Sequence, residues 1–425
     1  VGWRPGSSSN VAVASLAVGT AIIVPAVLSA FSLQFSPSAV IYVCVLMFGS
    51  ALQLACLKYR PDLRLKLVLG VSVLAHLIAL VGTPAFEDDH YRFAWDGWRT
   101  LQVGTPYGVP PESFFLTGDI PPSYAIVLNG INYPQYPTIY GPFLQLVFAA
   151  GVFLTPADSL GIRILFAILN LGIVILLLRS EAPRDVALFA WNPVVVSEVA
   201  LHGHPDSILA LFILASLLFA RRYPLLAGIC LGLAACTKII ALAAWPLLLR
   251  FGWKSMAAAV LTACLLYTTF LVQGQGAGLD STETFATGWR FNPLGFAVLE
   301  YVLSDAHARI AAAGVGIVLI LGLHAASGSS TEVPMAAIFA VALLLSPAVN
   351  AWYILWVLPF AVSSQAIWPW LMALALPLSY LTGLNLDSES LAPFSVHPNA
   401  YALQAALVLA AVMIGARDAL RRAPR

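Results

Sequence analysis

Charge is what this chain has least of. Only 20 Asp and Glu and 21 Lys and Arg occur among 425 residues, 10% in all, where soluble globular proteins carry about a quarter. A soluble enzyme or scaffold is excluded. The net charge of +1 leaves no basic surface for nucleic acid and no strong field for steering charged partners. Cysteine is nearly as scarce: Cys44, Cys56, Cys230, Cys236 and Cys264 all fall in apolar segments. None sits in a Cys or His set at zinc-ligand spacing, so they read as buried thiols. A 20–50-residue repeat, a low-complexity tract and a hydrophilic stretch long enough to fold alone are missing too. Residues 1–425 therefore read as a single transmembrane domain.

Apolar runs are what the chain has in plenty. At 60% hydrophobic and a mean hydropathy of +0.87, it reads as polytopic. Runs near the roughly 20 residues needed to cross hydrocarbon point to helices, and their continuity excludes a barrel of alternating strands. The first run, 11–31, follows a single Arg4, is long for a signal-peptide core and lacks a small-x-small cleavage site, so it is expected to stay as the first span. Positive residues mark the cytoplasmic side. Lys58, Arg60, Arg64 and Lys66 place the second connection inside, as do Arg179 with Arg184, Arg221 with Arg222, and Arg417, Arg421, Arg422 and Arg425. Residues 85–137 and 203–206 then lie outside. Between 137 and Arg179 two apolar runs, 139–154 and 162–178, would need an odd number of crossings, so one is expected to be short or re-entrant. The run 225–249 has basic residues at both ends and is interrupted by Thr237 and Lys238. It reads either as two half-helices with Lys238 at an outer turn or as one tilted span with Lys238 in mid-bilayer. The total comes to about eleven to thirteen membrane segments.

Against so few charges, Glu87, Asp88 and Asp89 in succession stand out, because an ionisable group kept in a membrane protein is a functional candidate. They open the one long hydrophilic connection, 85–137. Its first part is predicted to be helical, with Tyr91, Trp95, Trp98 and Leu101 on one side and Arg92, Asp96 and Arg99 on another. Asp96 is expected to pair with Arg92 or Arg99, and Gly104-Thr105-Pro106 to end the helix. An aromatic stripe opposite a charged one suits a helix lying in the membrane interface. An acid just before a helix can be a simple N-cap, yet one cap explains one acid and not three. The Pro- and Tyr-rich stretch that follows, up to Tyr140, suits either ring stacking on a sugar or interfacial anchoring. Further on, Glu198 in an apolar run needs a partner such as Lys238 or His202. His202, His204 and Asp206 read as loop residues or as weakly spaced metal ligands.

The run from Glu87 to Gly97, followed by Gly104-Thr105-Pro106-Tyr107, resembles the first outer loop of superfamily C glycosyltransferases. The likeness is closest to bacterial polyprenyl-phosphate-mannose-dependent mannosyltransferases. Trp191-Asn192-Pro193, Glu198, His202-Gly203-His204-Pro205-Asp206-Ser207, Lys238, Trp289-Arg290-Phe291-Asn292 and Ser346-Pro347-Ala348-Val349-Asn350-Ala351-Trp352-Tyr353 extend it in order across most of the chain. Asn350 stands where His is expected in relatives. With the charge count and the aromatic stripe, the resemblance implies an all-α, GT-C type transmembrane helical bundle whose long outer first loop carries interfacial helices, set in the inner membrane with its site facing the periplasm. It implies an inverting transfer of a hexose, mannose by the likeness, from a polyprenyl-phosphate donor to a glycan, lipid or protein acceptor. Asp89 first and Asp88 second match the general base. Arg92, His202, His204, Lys238 and Arg290 are the candidate partners of the phosphate, and Glu87, Glu198, Asp206, Tyr140 and Asn350 complete the substrate-binding set. No cofactor is implied outright, and a divalent metal stays open. The rival expectation is a transporter or lipid flippase using Glu198 and Lys238, against which stand the missing inverted repeat and the one-sided polar residues. A non-catalytic lipid-binding subunit leaves the acid cluster unexplained.

Overall fold

The computed structural model describes residues 7–34, 38–59, 61–117, 120–273, 278–328, 330, 333–364, 366–381 and 398–422. Arg4, Arg60 and Arg425 of the charge pattern lie outside them. Among the described residues the chain is helical, and its one β-type pairing is an isolated parallel bridge between Phe291 and Ala348. Among the described residues six helices are long and apolar enough to cross a membrane: Asn10–Ser32, Ala39–Lys58, Leu160–Leu177, Trp253–Leu271, Asp305–Ala326 and Pro398–Ala419. Several turn large apolar side chains away from the protein, such as Ile310, Val318 and Leu409, as a lipid-facing surface requires. Cys44 and Cys264 lie on that exposed side, so only Cys56, Cys230 and Cys236 are the buried thiols expected. Leu65–Val81, Ser207–Phe219, Pro224–Ala235 and Met335–Leu344 are shorter than the roughly 20 residues a span needs.

The helix ends gather the charged groups into two regions. Leu65–Val81 starts beside Arg64 and ends at the acidic loop. Leu160–Leu177 starts near Arg163 and ends before Arg179. Ser207–Phe219 runs from Asp206 towards Arg221, and Pro224–Ala235 returns towards Lys238. One end of the bundle thus collects Asp89, Asp206 and Lys238, and the other collects the basic turns.

The odd crossing between 137 and Arg179 resolves at Pro142–Leu154, a helix of 13 residues. At 1.5 Å per residue it is about 20 Å long, short of a hydrocarbon core of about 30 Å. Its start is tied to the acidic end, where Gly141 N–H donates to Thr237 C=O at 3.3 Å and Phe143 N–H to Cys236 C=O at 2.9 Å. Just past its other end, Ala157 N–H donates to the Tyr124 hydroxyl at 3.1 Å, which ties that end to the 85–137 connection. The run 225–249 is broken as well, with Pro224–Ala235 followed by a 3₁₀ stretch Ile239–Leu247. The two carbonyls exposed by the break are the ones that Gly141 and Phe143 satisfy, and a Cβ on Gly141 would stand 2.3 Å from the Cys236 oxygen.

The predicted loop helix is Asp89–Val103, closed by Gly104 at φ 81, a left-handed C-terminal position that glycine takes without strain. Its surroundings differ from the interfacial expectation. Trp95 and Trp98 are buried, Trp98 stacking on Tyr124 and Trp95 edge-on to Phe114, while Gly97 sits against the Phe148 backbone. Trp95 and Trp98 thus pack on protein while Leu101 stays exposed, a difference within the stripe that the 3.6 period alone could not show.

Candidate functional site

The acidic loop enters through Phe86, held at φ 67, a left-handed conformation uncommon for a bulky side chain. Its ring packs on Tyr42 and Tyr380, which holds the turn and sets the direction of the acids behind it. Asp88 occupies the N-cap position of the loop helix, yet its side chain makes no capping bond. Capping therefore accounts for none of the three acids. Asp89 Oδ2 accepts from the Tyr140 hydroxyl at 3.2 Å. Oxygens of Glu87 and Asp89 and a ring nitrogen of His204 all lie within 4.8 Å of one another.

The second wall comes from a widened π-type turn, Ser197–Leu201, a form that recurs at functional sites. It lets His204 N–H donate to the Glu198 carbonyl at 2.8 Å and folds the imidazole back so that Nδ1 meets Glu198 Oε2 at 3.0 Å. Tyr380 donates its hydroxyl to both Glu198 oxygens at 3.0 and 2.9 Å. Glu198 is fully buried; its partners are His204 and Tyr380, where the sequence suggested Lys238 or His202. The His204 ring is stacked on Trp352, 3.8 Å between centroids and 7° from parallel. Its Nε2 has no protein partner.

Lys238 closes a third side. Its Nζ donates to Asp206 Oδ1 at 2.7 Å and lies over the rings of Tyr353 and Trp356 at 4.4 and 5.0 Å. Trp356 Nε1 donates to the same Asp206 oxygen at 2.7 Å. A snorkelling lysine would extend to water; this one is held in an aromatic cage with its side chain 24% exposed. Asn350 precedes the 3₁₀ turn Ala351–Trp356 that builds the cage.

Other predicted residues are placed differently. Both nitrogens of His202 are taken, Nε2 by the Tyr42 hydroxyl at 2.7 Å and Nδ1 by the Ala85 N–H at 3.4 Å. Arg92 donates to the Tyr136 and Tyr133 carbonyls, both at 3.0 Å, so it pins the aromatic stretch. Arg290 forms a fork with Glu300, its Nε 2.8 Å from Oε1 and Nη2 3.0 Å from Oε2. Its charge is answered there. Asp96 makes no ion pair with Arg92 or Arg99; it accepts from Gln145 Nε2 at 3.3 Å. Tyr42, Tyr380, Arg163, Trp356 and Gln145 escaped the sequence reading. Arg163 lies buried across the bundle, donating to the Ala79, Leu80, Gly82 and Ala200 carbonyls at the loop entry.

In the 85–137 connection, clear of the membrane-spanning helices, burial raises Glu87 well above the usual carboxylate range, with the charges of Asp89, Asp88 and Glu198 adding to the rise. Burial and then the Asp89 charge bring Asp88 up to about 7. Burial lifts Asp96 from 3.8 to about 6, against the opposing pull of Arg92. A raised folded pKa gives Asp96 a contribution to stability that is complete below about pH 4 and lost as pH rises through 6. Protonated, Asp96 can donate to Gln145 Oε1, which is buried without a partner. Asp96→Asn supplies a permanent donor in its place. The variant is expected to melt above wild type at pH 7.5, by up to about 3 kcal/mol of stability, with the gap closing by pH 4. Thermal unfolding in detergent across that range checks it, and parallel pH profiles would remove Asp96 as the source.

Fold and site together define a multi-pass α-helical membrane protein with a half-buried cluster of ionisable groups at one end of its bundle. No family model, curated protein or solved structure matches the chain.

Proposed function

We propose that the protein is an integral-membrane glycosyltransferase that moves a hexose, mannose on the sequence resemblance, from a polyprenyl-phosphate donor to an acceptor at the outer membrane face. The observation that carries this reading is the meeting of Asp89 and Glu87 with His204, close enough to the caged Lys238 for its ammonium to feel the Asp89 charge. An acceptor hydroxyl beside Asp89 gives up its proton to the carboxylate. Its oxygen bonds to the anomeric carbon on the face opposite the phosphate, and the C–O electron pair leaves with the phosphate. Lys238, with two ammonium hydrogens beyond the one given to Asp206, offsets the charge growing on the leaving group. The concentration of the chain's few polar groups around Asp89 and Lys238, inside an otherwise apolar bundle, favours a lipid-linked donor.

Purified protein given polyprenyl-phosphate mannose is expected to release polyprenyl phosphate and lengthen an acceptor. Translocation of the lipid across proteoliposomes without turnover would instead support the flippase reading, for which the buried Glu198–His204 pair would serve as the coupling group. Orientation has its own test. Leu116 is 92% exposed in the loop and Arg221 is exposed at the opposite end. Leu116→Cys is expected to react with an impermeant thiol reagent from outside intact cells and Arg221→Cys only after lysis. The reverse pattern turns the protein over.

A further inference from the structure

We propose that Glu87, Asp89 and His204 form a binding site for a divalent transition cation, with Glu198 holding the histidine in its ligating orientation. The first observation is the grouping itself, in which two carboxylate oxygens and one ring nitrogen from segments more than a hundred residues apart lie within 4.8 Å of one another. The second is the state of the imidazole. His204 is 1% exposed, Nδ1 is bonded to Glu198, and Nε2 is buried without a partner. A buried ring nitrogen left unsatisfied is costly. The carboxylate–imidazole bond fixes tautomer and ring direction in the way that second-layer carboxylates do for metal-bound histidines. Stacking on Trp352 and the two Tyr380 hydrogen bonds to Glu198 lock the pair further.

Metal–ligand bonds of 2.0–2.2 Å require donor atoms about 3–3.5 Å apart, so side chains now within 4.8 Å of one another close by at most ~1.5 Å. One imidazole with two carboxylates suits Mn²⁺ or Zn²⁺ better than Mg²⁺ or Ca²⁺, which favour all-oxygen shells. Three protein ligands leave positions open for a phosphate or hydroxyl oxygen.

The site stands whether or not the chain transfers sugar, so the test reads binding and not turnover. Metal-free full-length protein in detergent is titrated with Mn²⁺ and followed by electron paramagnetic resonance. One equivalent per chain is expected, with ¹⁴N coupling from an imidazole in the spin-echo spectrum. Glu87→Gln and His204→Gln are expected to abolish that equivalent. Glu198→Gln keeps all three ligands and is expected to weaken binding by about 10–100-fold, while Glu112→Gln, an exposed acid of the same loop, leaves it unchanged. Thermal stabilisation by Mn²⁺ in wild type, and its loss in the variants, provides a second readout if a variant folds poorly. Wild-type protein that binds no Mn²⁺ or Zn²⁺, or binds it without ¹⁴N coupling, overturns the proposal. So does full affinity in Glu87→Gln and His204→Gln.

Discussion

Turnover in Asp89→Asn is expected to fall by roughly 10²–10⁴-fold, the range that proton abstraction by a positioned base contributes, while the fold and donor binding stay near wild type. Asn keeps an oxygen that can accept from the Tyr140 hydroxyl, now 3.2 Å from Asp89 Oδ2, and it is nearly the same size. The start of the loop helix is undisturbed, because the N-cap position belongs to Asp88 and carries no side-chain capping bond. What is removed is the capacity to take a proton. Asp89 is also a proposed cation ligand, so the assay is run with Mn²⁺ raised until the rate no longer responds. A deficit that survives saturation belongs to the missing base, and one that vanishes belongs to the cation. Asp88→Asn, measured in parallel, is expected to lose less, since Asp88 is outside the Glu87, Asp89 and His204 group. Normal rates in both Asn variants would leave the acidic loop a structural element and the transferase mechanism without a base.

Lys238→Met is expected to lower transfer by about 10²–10³-fold, the scale seen when a group that stabilises transition-state charge is deleted. Part of any loss would come from the fold, because the substitution leaves Asp206, 3% exposed, with only the Trp356 N–H as a partner. Removing one member of a buried pair costs roughly 3–5 kcal/mol, and the partial exposure of Lys238 puts this case at or below the low end. Lys238→Met combined with Asp206→Asn separates the two effects. The double variant is expected to regain thermal stability in detergent and to remain inactive. Recovery of transfer along with stability would assign Lys238 to packing and remove it from the chemistry.

The helical bundle was legible because hydrocarbon admits few alternatives, and long apolar runs at low charge state that constraint outright. The helix Asp89–Val103 and its stop at Gly104 were legible for local reasons, namely 3.6 periodicity and a Gly-Thr-Pro terminator. The break at Lys238 was legible because a lysine inside an apolar run has to reach a partner. Contacts made across the fold were not. Tyr380 lies in an apolar stretch and gives no sign that it holds Glu198, 182 residues away in sequence. Arg163 heads an apolar helix like any flanking cation, yet it is spent on carbonyls at the loop entry. Trp95 and Trp98 show the limit of periodicity, which identifies a face but not what covers it. Arg290 shows the same limit for charge: Glu300, ten residues on, claims it.

The clasp between Gly141, Phe143 and the carbonyls of Cys236 and Thr237 bears on biogenesis. Residues near 140 leave the ribosome about a hundred residues before the interrupted run does, and earlier segments of a chain fold first during synthesis. The segment that carries Gly141 and Phe143 is therefore already made when the turn at 236–237 arrives with carbonyls that lipid could not solvate. Maturation of the second half of the bundle then depends on a segment synthesised long before it. A chimera that exchanges the loop between proteins must carry the small residue at position 141 with it, or strand the incoming turn.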